Sequence, residues 1–332
     1  MIKNRNHPAC LSVAPMMDWT DRHCRYLHRQ LTRHALLYTE MVTAPAILHG
    51  DAEHLLAFDV NEHPVALQIG GSVPEELSRA TAIGCAFGYD EVNLNVGCPS
   101  DRVQSGRFGA CLMAEPGLVA DCASAMIEGA KGQAEITVKC RIGVDDQVPQ
   151  DVLPDFIAQV SARGVRHFAI HARMAWLQGL SPKENREVPP LNYPIVYAMK
   201  EAFPELSISI NGGIQSLDQA MAHLEAGLDG VMIGRAAYHM PADVLGSADR
   251  RVFGDGADRT AEDAVAAMLP YIEGQLTKGA RLNQITRHML GLFAGRPGAR
   301  RWRQVLSQEA HKPGAGPEVV EQALSAIHLA AA

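Results

Sequence analysis

The segment LSISINGGIQSLDQAMAHLEAGLDGVMIGR, residues 206–235, indicates how the larger part of the chain is built. It opens with an apolar run that ends in Asn-Gly-Gly at 211–213, continues with a stretch of helical period, and closes with a second apolar run ending in Gly234-Arg235. Parallel strands need a crossover connection, which is usually a helix, so this order is typical of a βα repeat around a parallel sheet.

The same unit recurs along the chain. Short apolar runs alternate with segments of helical period at 11–16, 36–41, 64–69, 91–96, 136–141, 166–171, 206–211 and 230–234. Eight strands with intervening helices predict an α/β fold, a (β/α)8 TIM barrel, over residues 1–243. Residues 244–260, rich in Asp, Gly and Arg, are predicted to be a linker. Residues 261–332 carry only helical patterning and predict a small all-helical C-terminal domain.

Composition narrows the class of protein. Of 332 residues, 47% are hydrophobic and 20% charged, a balance that suits a globular chain with a large core. No apolar run approaches the roughly 20 residues that a membrane helix needs, so we expect a cytoplasmic protein without membrane contact. The seven cysteines include no CxxC pair, so neither a disulfide framework nor a metal site is expected. No protein partner is implied.

The charge is unevenly distributed. A formal net charge of −7 argues against a protein that coats nucleic acid along its whole surface. Between Lys278 and Lys312, however, eight Lys and Arg residues stand against one acidic residue, Glu309. Charge alone leaves two interpretations open, a solvated helical face or a local basic patch.

Polar residues and glycines end nearly every predicted strand. Active sites of TIM barrels lie at the carboxyl ends of the strands, so we expect these residues to converge on one ligand. In strand order they are Pro15, Met16 and Met17; Gln68; Asn93 and Asn95; Lys139 and Arg141; His171; Asn211, Gly212 and Gly213; and Gly234 and Arg235.

The last two strands indicate a phosphate. Gly212, Gly213 and Gly234 let backbone N–H groups approach an anion closely, and the loops after strands seven and eight commonly form the phosphate site of a barrel. The alternative is simple tight turning.

Lys139 has two chemical uses in such a site, as a Schiff-base amine or as a cation beside an anionic cofactor. A Schiff-base lysine needs a pocket of low polarity, whereas Arg141 and His171 make this site polar. A reduced flavin carries negative charge near N1 that a lysine stabilises, and Gln68 could bond the polar edge of its ring. The combination favours a flavin.

Cys98 begins the long loop after the fourth strand. A buried structural thiol is the commonest fate of a free cysteine. Its place between Gly97 and Pro99, next to a strand end, also suits an acid, since an unperturbed thiol with a pKa of about 8.5 is mostly protonated at neutral pH.

Six motifs together closely resemble the bacterial tRNA-dihydrouridine synthases of the A branch, which act on uridines 20 and 20a of the tRNA D-loop. They are APMMDWTDRHCR (14–25), NLNVGCPS (93–100), VKCRIGVDD (138–146), IHARMAWLQGLSPKENREVPPL (170–191), SINGGI (209–214) and VMIGRAA (231–237). The resemblance covers nearly the whole chain.

The resemblance implies specific roles. NADPH would reduce FMN, reduced FMN would deliver hydride from N5 to C6 of the uracil, and Cys98 would protonate C5. Asn95 would contact the target uridine or its neighbours, and the helical domain would share tRNA binding with the barrel through Lys183, Arg186, Arg300 and Arg303. The residues holding FMN would be Pro15, Met16, Met17, Gln68, Lys139, His171, Asn211, Gly212, Gly213, Gly234 and Arg235.

Three alternatives remain open at this point. A related flavin barrel acting on a free pyrimidine would have no basic helical domain. A sugar-phosphate barrel with Lys139 as Schiff-base residue would be colourless. A tRNA-binding protein without catalysis is disfavoured by the presence of Cys98 and Lys139.

Overall fold

The computed structural model describes residues 7–100 and 106–331. Eight parallel strands form a closed barrel in which each strand pairs with the next along the chain and the eighth pairs with the first. The predicted TIM barrel is confirmed, since a strand is found at each of the eight apolar runs. The strands are β1 (Leu11–Val13), β2 (Leu36–Thr43), β3 (Val65–Gly70), β4 (Glu91–Val96), β5 (Glu135–Arg141), β6 (His167–His171), β7 (Ser207–Asn211) and β8 (Gly230–Ile233).

Helices surround the strands. Pro74, Pro116 and Pro149 stand in the first turn of three of them, where a helix leaves the backbone N–H without a partner. The α-helices of this part are Arg22–Leu31, Ala44–His49, Ala52–Leu56, Pro74–Phe87, Pro116–Ala130, Pro149–Ser161, Tyr193–Ala202, Leu217–Glu225, Arg235–His239 and Pro241–Leu245. Short 3-10 helices span Pro8–Cys10, Val60–Glu62, Gly109–Ala114 and Glu184–Arg186.

The strands have an apolar outer face and a mixed inner face. Successive strand residues point to opposite sides of a sheet, so Val92 and Leu94 join the main core whereas Asn93 and Asn95 do not. A separate small cluster of buried residues comprises Ala9, Ala14, Leu36, Tyr38, Ala66, Ala169 and Met232. Much of the remaining barrel interior is therefore lined by polar side chains.

The C-terminal region is helical, as expected, with α-helices Ala261–Thr277, Leu282–Thr286, Ala299–Glu309 and Pro317–Ala331. Trp302 is fully buried there, and its indole N–H donates to the Met289 carbonyl at 3.0 Å. Tyr271 stacks on Tyr26 of the first barrel helix, with ring centroids 3.8 Å apart. The Trp302 hydrogen bond lies within the helical region, and the stack of Tyr271 on Tyr26 joins that region to the barrel.

The segment 244–260 is ordered against the barrel over part of its length. It contains a π-helix, Asp249–Phe253, and the Asp249 carboxylate accepts hydrogen bonds from the Thr32 hydroxyl at 2.6 Å and the Arg33 backbone N–H at 2.7 Å. The expected division of the chain at 243 and 260 stays a prediction. No helix within residues 7–100 and 106–331 is both long and apolar enough to span a membrane.

Candidate active site

Strand register brings the predicted residues of β4 to β7 side by side at the carboxyl end of the barrel. Asn95 lies opposite Lys139, Arg141 opposite His171, and His171 opposite Asn211. Residues far apart in the sequence thus meet on one face.

A chain of hydrogen-bonded side chains runs from this face into the barrel. Asn95 Nδ2 donates to Gln68 Oε1 at 3.1 Å, Gln68 Nε2 to Asn93 Oδ1 at 2.9 Å, and Asn93 Nδ2 to the Thr137 hydroxyl at 2.7 Å. Each amide accepts from the residue above and donates to the one below. Their orientations are therefore set by one another, and all four side chains are buried.

Glu91 terminates this chain. Its Oε1 accepts the Thr137 hydroxyl at 2.6 Å and also the Tyr38 hydroxyl. Burial raises the pKa of Glu91 to about 8, although the two hydrogen bonds act in the opposite direction. Glu91, the final acceptor, is the first residue of β4 and so lies at the amino-terminal end of the barrel. Every donor in this series of hydrogen-bonded side chains therefore points away from the carboxyl ends of the strands. Glu91, Thr137 and Tyr38 could not be assigned to the site from the sequence, because their alignment depends on barrel register.

Asn95 also shapes the start of the Cys98 loop. Its Oδ1 accepts the backbone N–H groups of Gly97 at 2.9 Å and Cys98 at 3.0 Å. With Nδ2 bound to Gln68 and close to the Met41 sulfur, the amide of Asn95 is fully occupied by protein atoms. Cys98 itself is partly exposed. Asn95, expected to touch a uridine, is thus bonded to protein groups at every polar atom.

The ammonium group of Lys139 has little negative charge near it. Burial lowers its pKa to about 8, with Arg141 and Arg186 contributing in the same direction. Within residues 7–100 and 106–331, no hydrogen-bond or ion-pair partner is found for its ammonium group. An anion placed here would restore the pKa and gain a direct charge partner.

Arg141 joins two loops. Its Nε donates to the Gly97 carbonyl at 3.0 Å, and one Nη donates to the carbonyls of Met174 and Asn185, both at 2.9 Å. The side chain is 2% exposed. Arg141 was expected among the strand-end residues that converge on a ligand, and its position two residues after Lys139 places both on one strand face.

Close packing explains the glycines after β7. A Cβ at Gly212 would lie 2.6 Å from His171 Cδ2, and one at Gly213 would lie 2.5 Å from Leu191 Cδ1. Both residues have positive φ, which favours glycine. The pKa of His171 lies well below its ordinary value because of burial, then because of Arg141 and Lys139. The imidazole is therefore neutral at physiological pH.

The β1 and β8 ends are neighbours. A Cβ at Gly234 would lie 3.7 Å from the Met16 sulfur, so space remains beside the Gly234 backbone. Pro15 and Met16 are half-buried, and Met17 is 52% exposed. These residues form one wall of the barrel mouth.

Asn211 and Arg235 are engaged by protein groups. Asn211 Nδ2 donates to the Met232 carbonyl at 2.8 Å, which ties β7 to β8. Arg235 forms an ion pair with Glu187 at 2.6 Å. Both stand where the sequence predicts, yet a ligand phosphate would have to share Arg235 with Glu187.

The four basic residues expected to bind tRNA are all exposed. In the loop after β6, Lys183 immediately precedes the short helix Glu184–Arg186 and Arg186 is its last residue, while Arg300 and Arg303 lie on the helix Ala299–Glu309. None of the four has an ion-pair partner in the described part of the chain. Their charges are available to an anionic ligand.

A second polar cluster lies at the amino-terminal ends of β4 to β6. One potential ligand atom each of Glu91, Glu135 and His167 falls within 4.8 Å of the others. His167 Nδ1 has no hydrogen-bond partner within the described residues and lies 4.0 Å from Glu91 Oε2. A metal would require ionised Glu91, whose raised pKa opposes ionisation. This cluster is distinct from the barrel-mouth site.

Comparison with known proteins now gives the family. A family model described as dihydrouridine synthase (Dus) matches residues 12–328. The chain belongs to the dihydrouridine synthase family. It is 58% identical over 323 residues to the tRNA-dihydrouridine(20/20a) synthase of Vibrio parahaemolyticus, covering 97% of this chain and 98% of that protein. It is 57% identical over 318 residues to the protein of the same name from Escherichia coli K12, covering 95% and 91%.

The fold has a relative among solved structures. An old yellow enzyme homologue from Zymomonas mobilis matches with a TM-score of 0.52 at 13% identity, covering 77% of this chain and 92% of that chain. At this identity the likeness concerns the barrel alone. Within the dihydrouridine synthase family, the present chain thus combines a TIM barrel with a C-terminal helical region.

Proposed function

We propose that this dihydrouridine synthase reduces uridine to 5,6-dihydrouridine in tRNA, with FMN as its bound cofactor and NADPH as the reductant. The observation that carries the proposal is the position of Cys98. Asn95 accepts the backbone N–H of Cys98 at 3.0 Å and donates to Gln68 at 3.1 Å. The partly exposed thiol of Cys98 is therefore held next to the polar barrel mouth. The names of the two relatives support the choice of reaction.

The residues of the barrel mouth fit FMN. Lys139, which has no ion-pair partner among the described residues, would provide a cation for the reduced ring. Gln68 would provide an oriented amide for its polar edge, and Gly212, Gly213 and Gly234 backbone N–H groups for the phosphate. Pro15, Met16 and Met17 would contact the ring, with His171, Asn211 and Arg235 around the phosphate side. The chemistry that FMN supplies when bound is transfer of hydride from N5 to C6 of the uracil.

Cys98 would complete the reduction. As hydride arrives at C6, negative charge develops on C5 and the neighbouring carbonyl, and the Sγ–H proton passes to C5. The uracil has to leave the folded tRNA to reach the thiol, which costs a few kcal/mol of lost stacking and pairing. Lys139 and Arg141 would add positive charge near the developing enolate.

The tRNA would lie across two parts of the chain. Lys183 and Arg186 on the barrel and Arg300 and Arg303 on the C-terminal helix would bind phosphates, with residues 261–332 acting as a tRNA-binding domain. We assign uridines 20 and 20a of the D-loop as targets, in keeping with the relatives' names, and place the enzyme with its substrate in the cytoplasm.

The test uses purified protein and tRNA that lacks dihydrouridine. The protein should be yellow, release FMN on denaturation, and after anaerobic reduction by NADPH be reoxidised by tRNA with formation of dihydrouridine at 20 or 20a, read by mass spectrometry. A colourless protein, or reduction of free uridine in preference to tRNA, would overturn the proposal.

A further inference from the structure

Trp176 is an unusual surface residue. It is 52% exposed, and it is the sole aromatic among the large hydrophobic side chains exposed in the described part of the chain. It lies in the loop after β6, at the carboxyl end of the barrel where the candidate active site is formed. An exposed indole of this size needs a reason, because burying it would be favourable.

The backbone around Trp176 is held firmly. Its N–H donates to Asn185 Oδ1 at 2.7 Å, and its carbonyl accepts from Asn185 Nδ2 at 2.8 Å. Asn185 is fully buried. On either side, Ala175 N–H donates to the Gly143 carbonyl at 3.0 Å, and Leu177 N–H donates to Asp145 Oδ1 at 2.8 Å. The indole is therefore presented from a rigid support, which lowers the ordering cost of binding.

This support is connected to the Cys98 loop. The Arg141 side chain donates to the carbonyls of Gly97, Met174 and Asn185, at 2.9 to 3.0 Å. Trp176 is thus two residues from Met174 and hydrogen-bonded to Asn185, both of which Arg141 binds. Its position relative to Cys98 is set by a short, buried connection.

The charge around Trp176 selects an anionic partner. Lys183 and Arg186 are exposed in the same loop and lack ion-pair partners among the described residues. The pKa of Arg186 is lowered by partial burial and by the neighbouring Arg235 guanidinium, while the Glu187 carboxylate of the same loop acts in the opposite direction. Proteins bind single-stranded nucleic acid through aromatic side chains on which bases stack and through nearby cations that bind the backbone.

Resting on the proposed function, we infer that Trp176 is a stacking platform for an unpaired tRNA base that flanks the extruded uridine. Stacking would keep the neighbouring nucleotide in place while the target base enters the barrel mouth. The occupant is a nucleobase, and the recognition is by its π face, without a requirement for one base.

The experiment compares Trp176→Phe, Trp176→Leu and Trp176→Ala in the flavin-loaded protein. Stacking on an aromatic ring contributes roughly 1–3 kcal/mol per base, so Kd for unmodified tRNA should rise about 5- to 150-fold in the Leu and Ala variants and much less in Phe. Flavin content and NADPH-driven flavin reduction should not change.

A direct signal comes from the indole itself. The chain has three tryptophans; Trp302 is fully buried and Trp19 stacks on Tyr238 at 4.6 Å. Adding tRNA should quench fluorescence excited at the red edge in the wild type, and Trp176→Phe should abolish most of that quenching. If Trp176→Ala binds tRNA with an unchanged Kd and still reduces its uridine, the stacking platform is overturned and the proposed function stands. Absence of tRNA binding by the wild type would instead overturn the proposed function.

Discussion

The side-chain oxygen of Asn95 accepts the backbone N–H of Cys98 at 3.0 Å. The same oxygen accepts the Gly97 N–H, and the amide nitrogen donates to Gln68 at 3.1 Å. One buried side chain therefore sets the position of the proposed proton donor relative to the proposed FMN site. We regard Asn95 as a positioning residue, because both polar atoms of its amide bond protein groups. The uridine contact that the family resemblance implies stays a prediction.

Replacing Asn95 by Ala leaves two backbone N–H groups without their acceptor. We expect a loss of stability of roughly 1–3 kcal/mol in urea denaturation and faster hydrogen exchange in the peptide 95–100, because these bonds hold the turn. Exchange in the β7 peptide serves as the internal control and should be unaffected. Exchange at 95–100 that matches the wild type would show that the turn does not depend on Asn95.

Cys98→Ala should separate the two half-reactions. Dihydrouridine formation should fall by roughly 10²–10⁴-fold, the range for loss of a general acid, while NADPH oxidation by oxygen stays intact. Cys111→Ala is the matched control, since Cys111 is also a partly buried thiol and its Sγ donates to the nearby Phe108 carbonyl. Equal dihydrouridine yield from Cys98→Ala and wild type would assign Cys98 a merely structural role.

Binding of FMN should cause Lys139 to take up a proton. Its pKa of about 8 in the free protein leaves it mostly neutral at about pH 8.5, and a bound anion raises the pKa. Calorimetry of FMN binding to flavin-free protein, in buffers of different ionisation enthalpy, should detect proton uptake at this pH. Lys139→Met should bind FMN more weakly and without that uptake; equal uptake in both proteins would remove the assignment.

Glu91 should make the stability of the fold depend on pH. Burial raises its pKa from 4.5 to about 8, so the folded protein keeps a proton that the unfolded chain releases. Its stabilising contribution is complete below about pH 4.5 and is lost as pH rises to about 8. Urea denaturation across this window should show a smaller decline for Glu91→Gln than for wild type. Glu53→Gln, at an exposed site, should behave like wild type; identical slopes for all three would refute the role of Glu91.

Charge reversal on the helix Ala299–Glu309 should weaken tRNA binding and leave flavin reduction unchanged. Arg300→Glu with Arg303→Glu changes two residues three positions apart on one helix face, and should raise KM for tRNA and flatten its salt dependence. Flavin reduction by NADPH should be unaltered. The control, Arg163→Glu with Arg166→Glu, makes the same charge change at exposed sites near the amino-terminal end of β6. If both double variants behave alike, the tRNA footprint lies elsewhere.

The sequence by itself determined the βα repeat, the barrel and the residues that could meet at its mouth. These follow from local rules, since apolar period identifies each strand and the carboxyl ends of barrel strands share one face. Lys139, Gln68 and Cys98 could therefore be selected without coordinates. The spacing of Lys139 and Arg141 also contained a usable signal, because residues two apart on a strand point to the same side.

Only the tertiary structure decided which of these side chains touch and what each touches. The hydrogen-bonded chain from Asn95 to Glu91 joins three strands, and its existence depends on barrel stagger, which no local pattern encodes. The ion pair of Arg235 with Glu187 and the bridge made by Arg141 likewise join separate loops. The shifted pKa values of Glu91, Lys139 and His171 arise from burial, a property of the assembled barrel that sequence spacing cannot supply.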